Sequence, residues 1–107
     1  GVVRAISRGD YDLAAATFEV GAEPWNGRRL ALAMEPYFTE YAVLLTDAAA
    51  RSPTRLRVRE RDARFWHLEQ TLLDPEEHSD WYLGCRLDLD ATREQGRPVL
   101  WLDRVGD

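Results

Sequence analysis

Residues 65–107 read FWHLEQTLLDPEEHSDWYLGCRLDLDATREQGRPVLWLDRVGD, and their period decides the fold. Trp66, Leu68, Gln70 and Leu72 alternate with Phe65, His67, Glu69 and Thr71. Trp81, Leu83, Cys85, Leu87 and Leu89 alternate in the same way with Tyr82, Gly84, Arg86 and Asp88. A period of two is the signature of strands with one buried face. Two polar stretches, DPEEHSD (74–80) and DATREQGRP (90–98), separate these sets and read as turns. Val99 to Leu102 is apolar on both parities, as in a strand covered on both sides. Working upstream, Leu56 and Val58 alternate with Arg55, Arg57, Arg59 and Arg61, which adds a first strand from Thr54.

N-terminal to that strand the period changes to that of a helix. Leu30, Met34, Tyr37, Tyr41 and Leu44 recur at three- and four-residue steps, predicting one long helix from about Asn26 to Leu45. Pro36 lies inside it and predicts a kink or restart, because proline lacks the amide donor and crowds the preceding turn. A last turn over residues 48–51 and a switch to β-structure at Ser52-Pro53 follow. Residues 2–8 and 11–20 read as two short helices, closed by Gly9 and Gly21, the second capped by Asp10. Val3, Ile6, Leu13, Ala16 and Val20 are their expected packing positions. The expected fold class is α+β: N-terminal helices and one long helix on a curved antiparallel sheet of about four strands. A short helical lead-in (1–24) precedes the α+β domain (25–107).

Composition sets bounds on function. The 107 residues suffice for one core. A net charge of −5 opposes a dedicated nucleic-acid binder, which needs a basic surface, but leaves room for a local basic strip. All 14 basic residues are Arg. With no Lys, neither a P-loop nor Schiff-base chemistry is available within this chain. A single cysteine, Cys85, cannot close an intrachain disulfide, in keeping with a reducing, cytoplasmic setting. No apolar run approaches the roughly 20 residues of a membrane helix. A start at Gly1 rather than Met is expected for an excised fragment.

Three groups of side chains are candidates for a site. Arg51, Arg55, Arg57, Arg59, Arg61 and Arg64 crowd one segment, and strict alternation places Arg55, Arg57, Arg59 and Arg61 on one strand face. Such a row can follow a phosphate backbone, but Glu60, Asp62 and the overall acidity favour the charged guard of an edge strand. Tyr37, Tyr41, Trp66, Gln70, Trp81 and Trp101 could line a pocket between helix and sheet, or simply fill the core. His67 and His78 lie near Glu69, Asp74, Glu76, Glu77 and Asp80 without any HxxxH or HExxH spacing, so no metal site is expected. Asp74 to Asp80 reads as a solvated hairpin loop, and Cys85 as an inert core thiol. No nucleophile motif is present, so no enzyme activity and no cofactor are expected of this chain.

The strings W-x-L-x-Q-x-L-x-D-P (66–75), H-S-D-W (78–81) and L-D-L-D-A-T-R-E-Q-G-R-P-V-L (87–100), with W-N-G-R-R-L-A-L-A-M-E-P-Y-F-T-E-Y (25–41) and T-D-A-A-A-R-S-P (46–53) upstream, carry a resemblance. The chain resembles the C-terminal domain of unknown function of actinobacterial DEAD/DEAH-box helicases, over nearly its whole length. In that family the acidic turn reads closer to D-P-x-G-D-H-D-W; here Glu76-Glu77-His78-Ser79 stands in place of the glycine-containing segment. The resemblance implies a parent superfamily II helicase whose ATP-binding motifs lie outside this chain, and no helicase catalytic residue maps onto it. The implied function is a non-catalytic accessory domain docking on its own motor, with homodimerisation and weak nucleic-acid contact as further expected associations and no membrane partner. The order of elements also resembles the cystatin-like, SnoaL-type cone fold, which leaves a small-molecule-binding or enzymatic cone domain as the alternative.

Overall fold

The computed structural model describes residues 2–20, 24–46 and 56–107. Helices α1 (Val2–Ser7), α2 (Tyr11–Ala15) and α3 (Gly27–Glu40) precede strands β1 (Leu56–Arg61), β2 (Phe65–Leu72) and β3 (Trp81–Asp88). Helix α4 (Leu89–Gln95) and strand β4 (Leu100–Gly106) complete the chain. The strands form one open antiparallel meander in the order β1-β2-β3-β4. The α+β class is the one the change of period dictates. Among the described residues no helix is long and apolar enough to cross a membrane.

The core lies between α1–α3 and one face of the sheet. Gly27, Leu30, Met34 and Tyr37 are the buried stripe of α3, with Tyr41 continuing it past the helix end. They meet Leu72, Trp81, Leu83, Cys85 and Leu102 from the sheet and Ile6, Ala14 and Phe18 from the lead-in. Gly27 lets α3 approach α2 closely: a Cβ there would collide with the Asp12 carboxylate. The lead-in is thus part of one hydrophobic core with the sheet.

Caps explain where the helices begin. Asn26 accepts from Arg29 N–H at 2.8 Å and Asp10 from Leu13 N–H at 3.3 Å. Gly9 closes α1 at φ +72, a left-handed value glycine adopts freely. Other expectations are corrected. Helix α3 ends at Glu40, with Tyr41 already extended, and it runs through Pro36 without restarting. Helix α2 is shorter than its pattern, and Leu13 and Val20 face solvent at 62% and 76% exposure, as does Ala16. Five residues make little more than one turn, so the face they bury is two alanines, Ala14 and Ala15. Gly21, the turn over 48–51 and the Ser52-Pro53 switch lie outside the described residues.

The second polar turn is a helix. Asp88 ends β3 and caps α4 by accepting from Ala91 N–H at 3.1 Å, and Gly96 closes it at φ +66 with its amide on the Thr92 carbonyl. Asp88 also takes the Arg64 guanidinium at 3.2 Å, tying the β1–β2 turn to the start of α4. The Leu89 amide on the Arg64 carbonyl at 2.7 Å makes the same connection through the backbone.

Candidate functional site

The face of the sheet turned away from the core carries the most chemistry. Register places its side chains in rows across β2, β3 and β4: His67, Arg86 and Trp101; Glu69, Gly84 and Arg104; Thr71, Tyr82 and Gly106. Phe65 lies at the β2 start of the same face. None of Phe65, Tyr82 and Trp101 joins the hydrophobic core; all are half-buried. Three of the face's guanidinium–ring distances are close to 5 Å: Arg86 over Phe65 at 5.2 Å, Arg64 over Phe65 at 5.1 Å and Arg104 over Tyr82 at 5.0 Å. A concavity of about 290 Å³ opens on this face, with Gly84 in its floor. A Cβ at Gly84 would come within 2.9 Å of Arg104 Cγ, so glycine is what lets the arginine lie across the sheet.

Ion pairs order this surface. Arg59 Nε holds Glu69 at 3.1 Å, and Arg86 Nε holds both oxygens of Asp103 at 2.9 and 3.0 Å. Two irregularities of register shape it. One falls in β1 between Val58 and Glu60, the other in the β3–β4 pairing at Gly84/Cys85, which leaves Asp103 unopposed between Leu102 and Arg104. The first corrects the expected arginine row. Arg57 pairs with Glu69 across the strands, Arg59 sits in the bulge, and Arg61 lies beside Trp66, with its guanidinium 4.9 Å from the indole. One extra residue reverses the parity, so Arg61 does not share the face of Arg57 and Arg59. Arg51 and Arg55 lie outside the described residues.

The six proposed pocket residues do not converge on one cavity. Tyr37, Tyr41 and Trp81 pack on one another, with ring centroids 5.1 Å apart for the two tyrosines and 5.7 Å for Tyr37 and Trp81. Tyr37 donates to the Val43 carbonyl at 2.9 Å; burial, then Asp74 and Asp80, push its phenol up to about 12. Trp66 lies beside Arg61, Gln70 donates to the Thr71 carbonyl, and Trp101 occupies the opposite face, in register with Arg86.

The loop between β2 and β3 is built around Asp74, which is fully buried, contrary to the solvated hairpin expected of it. Its carboxylate accepts the amides of Glu76, His78 and Ser79 at 2.9–3.0 Å. Burial pushes its pKa up, yet the backbone donors together hold it below the ordinary carboxylate value. Glu77 and Ser79 take left-handed φ of 60 and 53.

The same loop brings His78 and Asp80 to the end of α3. Tyr41 Oη lies 2.7 Å from His78 Nδ1 and 3.2 Å from Asp80. One phenolic proton can serve only one of them. Glu40, His78 and Asp80 each offer a ligand atom within 4.8 Å of the others, and all three are exposed. Carboxylate and imidazole donors of this kind could hold a divalent cation. Sequence spacing could not show this cluster, because Glu40 is brought to the loop by packing alone. The expected same-face pair, His67 and Glu69, do share the open face. His67 instead lies 3.7 Å from Asp62.

No curated protein and no solved structure matches this chain. One family model does, over residues 1–105, which takes in the lead-in, the long helix and all of the sheet but its last residue. The chain therefore belongs to the family described as domain of unknown function DUF3516.

Proposed function

We propose that this chain is a non-catalytic accessory domain of an ATP-dependent superfamily II helicase, acting by surface contact with the motor of its parent protein. The observation that carries this reading is the division of the sheet. One face is consumed by the core, and the other carries arginine and aromatic side chains ordered by ion pairs. Mixed aromatic and arginine surfaces are enriched where proteins meet partners. The membership in a domain family and the resemblance to helicase C-terminal domains supply the context. Packing of Tyr37, Tyr41 and Trp81 on one another in the core supports a contact surface over an internal substrate pocket.

The test is to titrate the chain onto the parent motor lacking it, reading association by calorimetry and nucleic-acid-stimulated ATP hydrolysis. Saturable binding with altered hydrolysis is expected. No binding, together with an ATPase and unwinding rate unaffected by deletion of the domain, overturns the reading. Turnover of a substrate by the isolated chain, abolished by one substitution, overturns its non-catalytic part.

A further inference from the structure

We infer that the open sheet face, centred on the concavity above Gly84, binds single-stranded nucleic acid. The inference deepens the reading above by naming a partner for the same face, and it rests on that reading only for biological context. Its physical basis is independent of it.

A single strand needs two things from a protein surface: flat groups on which bases stack, and cations that follow the phosphates. Tyr82 and Arg104 form one ring–guanidinium layer, and Phe65 with Arg64 and Arg86 forms another. Bases stack on aromatic rings and on guanidinium planes alike. Between these layers lies the concavity of about 290 Å³, lined by Arg59, His67, Glu69, Tyr82, Asp103 and Arg104. Its size is near the lower end of the range for a small-ligand pocket, roughly 300 Å³. The sheet supplies a rigid base: Tyr82 faces Thr71, six residues along β2 from Phe65, so the two layers stand roughly 20 Å apart along the strands.

The ion pairs do not disarm the arginines. Arg59 meets Glu69 through Nε, and Arg86 meets Asp103 through Nε. A guanidinium has five donors in a fork, so fixing Nε leaves the terminal nitrogens to meet a phosphate. Glu69 and Asp103 thereby orient the cations while offsetting part of their charge. Arg57, in register with Glu69, and Arg104 add positive charge to the same row. This local strip stands against a net charge of −5, so affinity is expected to be modest and to fall steeply with salt. Stacking and phosphate contact are open to every base, so the face should select single strands over duplex without strong sequence preference.

Fluorescence anisotropy of the whole chain with labelled oligouridylate, the matching deoxy-oligomer and a duplex tests this at about 50 mM salt and upward. Saturable binding of both single strands, tighter than duplex, is expected. Tyr82→Ala should weaken it about tenfold. Arg59→Gln with Arg104→Gln should lower the slope of log K against log salt by about 1.4. Arg8→Gln with Arg28→Gln, on the helical side, should leave binding unchanged. Arg104→Lys, which keeps charge, guards against misfolding and should retain most of the salt slope. Absence of saturable binding, equal affinity for duplex, or wild-type binding by both Tyr82→Ala and the Arg59→Gln/Arg104→Gln pair would overturn the inference. Motor docking that survives such a failure leaves the accessory reading standing; loss of docking with retained oligonucleotide binding does the reverse.

Discussion

Asp74 shows how one side chain can set a loop. Alone among polar residues of the 73–80 segment it is withdrawn from solvent, and it exchanges water for three amide donors. Those bonds hold Glu77 and Ser79 at left-handed φ, which costs an L-residue about 1–2 kcal/mol. Glu77→Gly removes that cost but adds entropy to the unfolded chain, so a net gain of about 0.5–1 kcal/mol in urea denaturation is expected. A loss of stability would mean the Glu77 side chain contributes more than its backbone strain costs. Cys85 is the other telling residue. Burial first, and Asp103 second, push its thiol up to about 11 from 9.0. Native alkylation by iodoacetamide near pH 8 should therefore run about a hundredfold slower than in denaturant and rise with pH. A fast native reaction at that pH would contradict the burial.

Elements depart from their sequence patterns where local and tertiary terms disagree. Pro36 sits on the exposed side of α3 and forfeits one helical hydrogen bond, yet Leu30, Met34 and Tyr37 on the buried side hold the helix together. Pro36→Ala should restore the missing donor and stabilise the domain by about 1–3 kcal/mol, read from the midpoint of chemical unfolding. No change would indicate that the helix is already distorted there at no cost. In α4 the alternation of Leu87, Asp88 and Leu89 resembles strand, but the Asp88 cap and the left-handed Gly96 bracket a helix of seven residues. In β1 the bulge near Arg59 twists a fully exposed edge strand, a common protection against edge-to-edge pairing.

At the scale of the molecule, acid stability should reflect Asp74 and Asp88, the two buried carboxylates among the described residues. Asp74 is held low by its three backbone donors against the opposing effect of burial, and Asp88 first by the Ala91 amide and then by Arg64. A carboxylate whose folded pKa is depressed contributes stability that is fully present above its unfolded value, near 3.8. That contribution is lost as pH falls through the folded value. The domain should thus lose stability below about pH 4, and Asp74→Asn with Asp88→Asn should flatten the acid limb while lowering stability at neutral pH. Circular dichroism of unfolding at a series of pH values checks this; parallel acid limbs for variant and wild type would remove both residues from the account.

The period of two across β1 to β3, the stripe of α3 and the cap at Asp10 are local properties, so the sequence by itself determined the α+β class and most of the core. Each depends on backbone geometry repeating every two or 3.6 residues, and that repeat is written in the order of residues. What only the tertiary structure decided involves partners distant in sequence or a single inserted residue. The bulge at Arg59 reversed the faces of the arginines beyond it, because a strand's parity carries no memory past an extra residue. The burial of Asp74, the meeting of Tyr41 with His78, and the rows of Arg, Tyr and Trp on the open face all follow from register and packing. No spacing within one segment encodes them, because hydrogen-bond satisfaction and close packing are settled only when the segments meet.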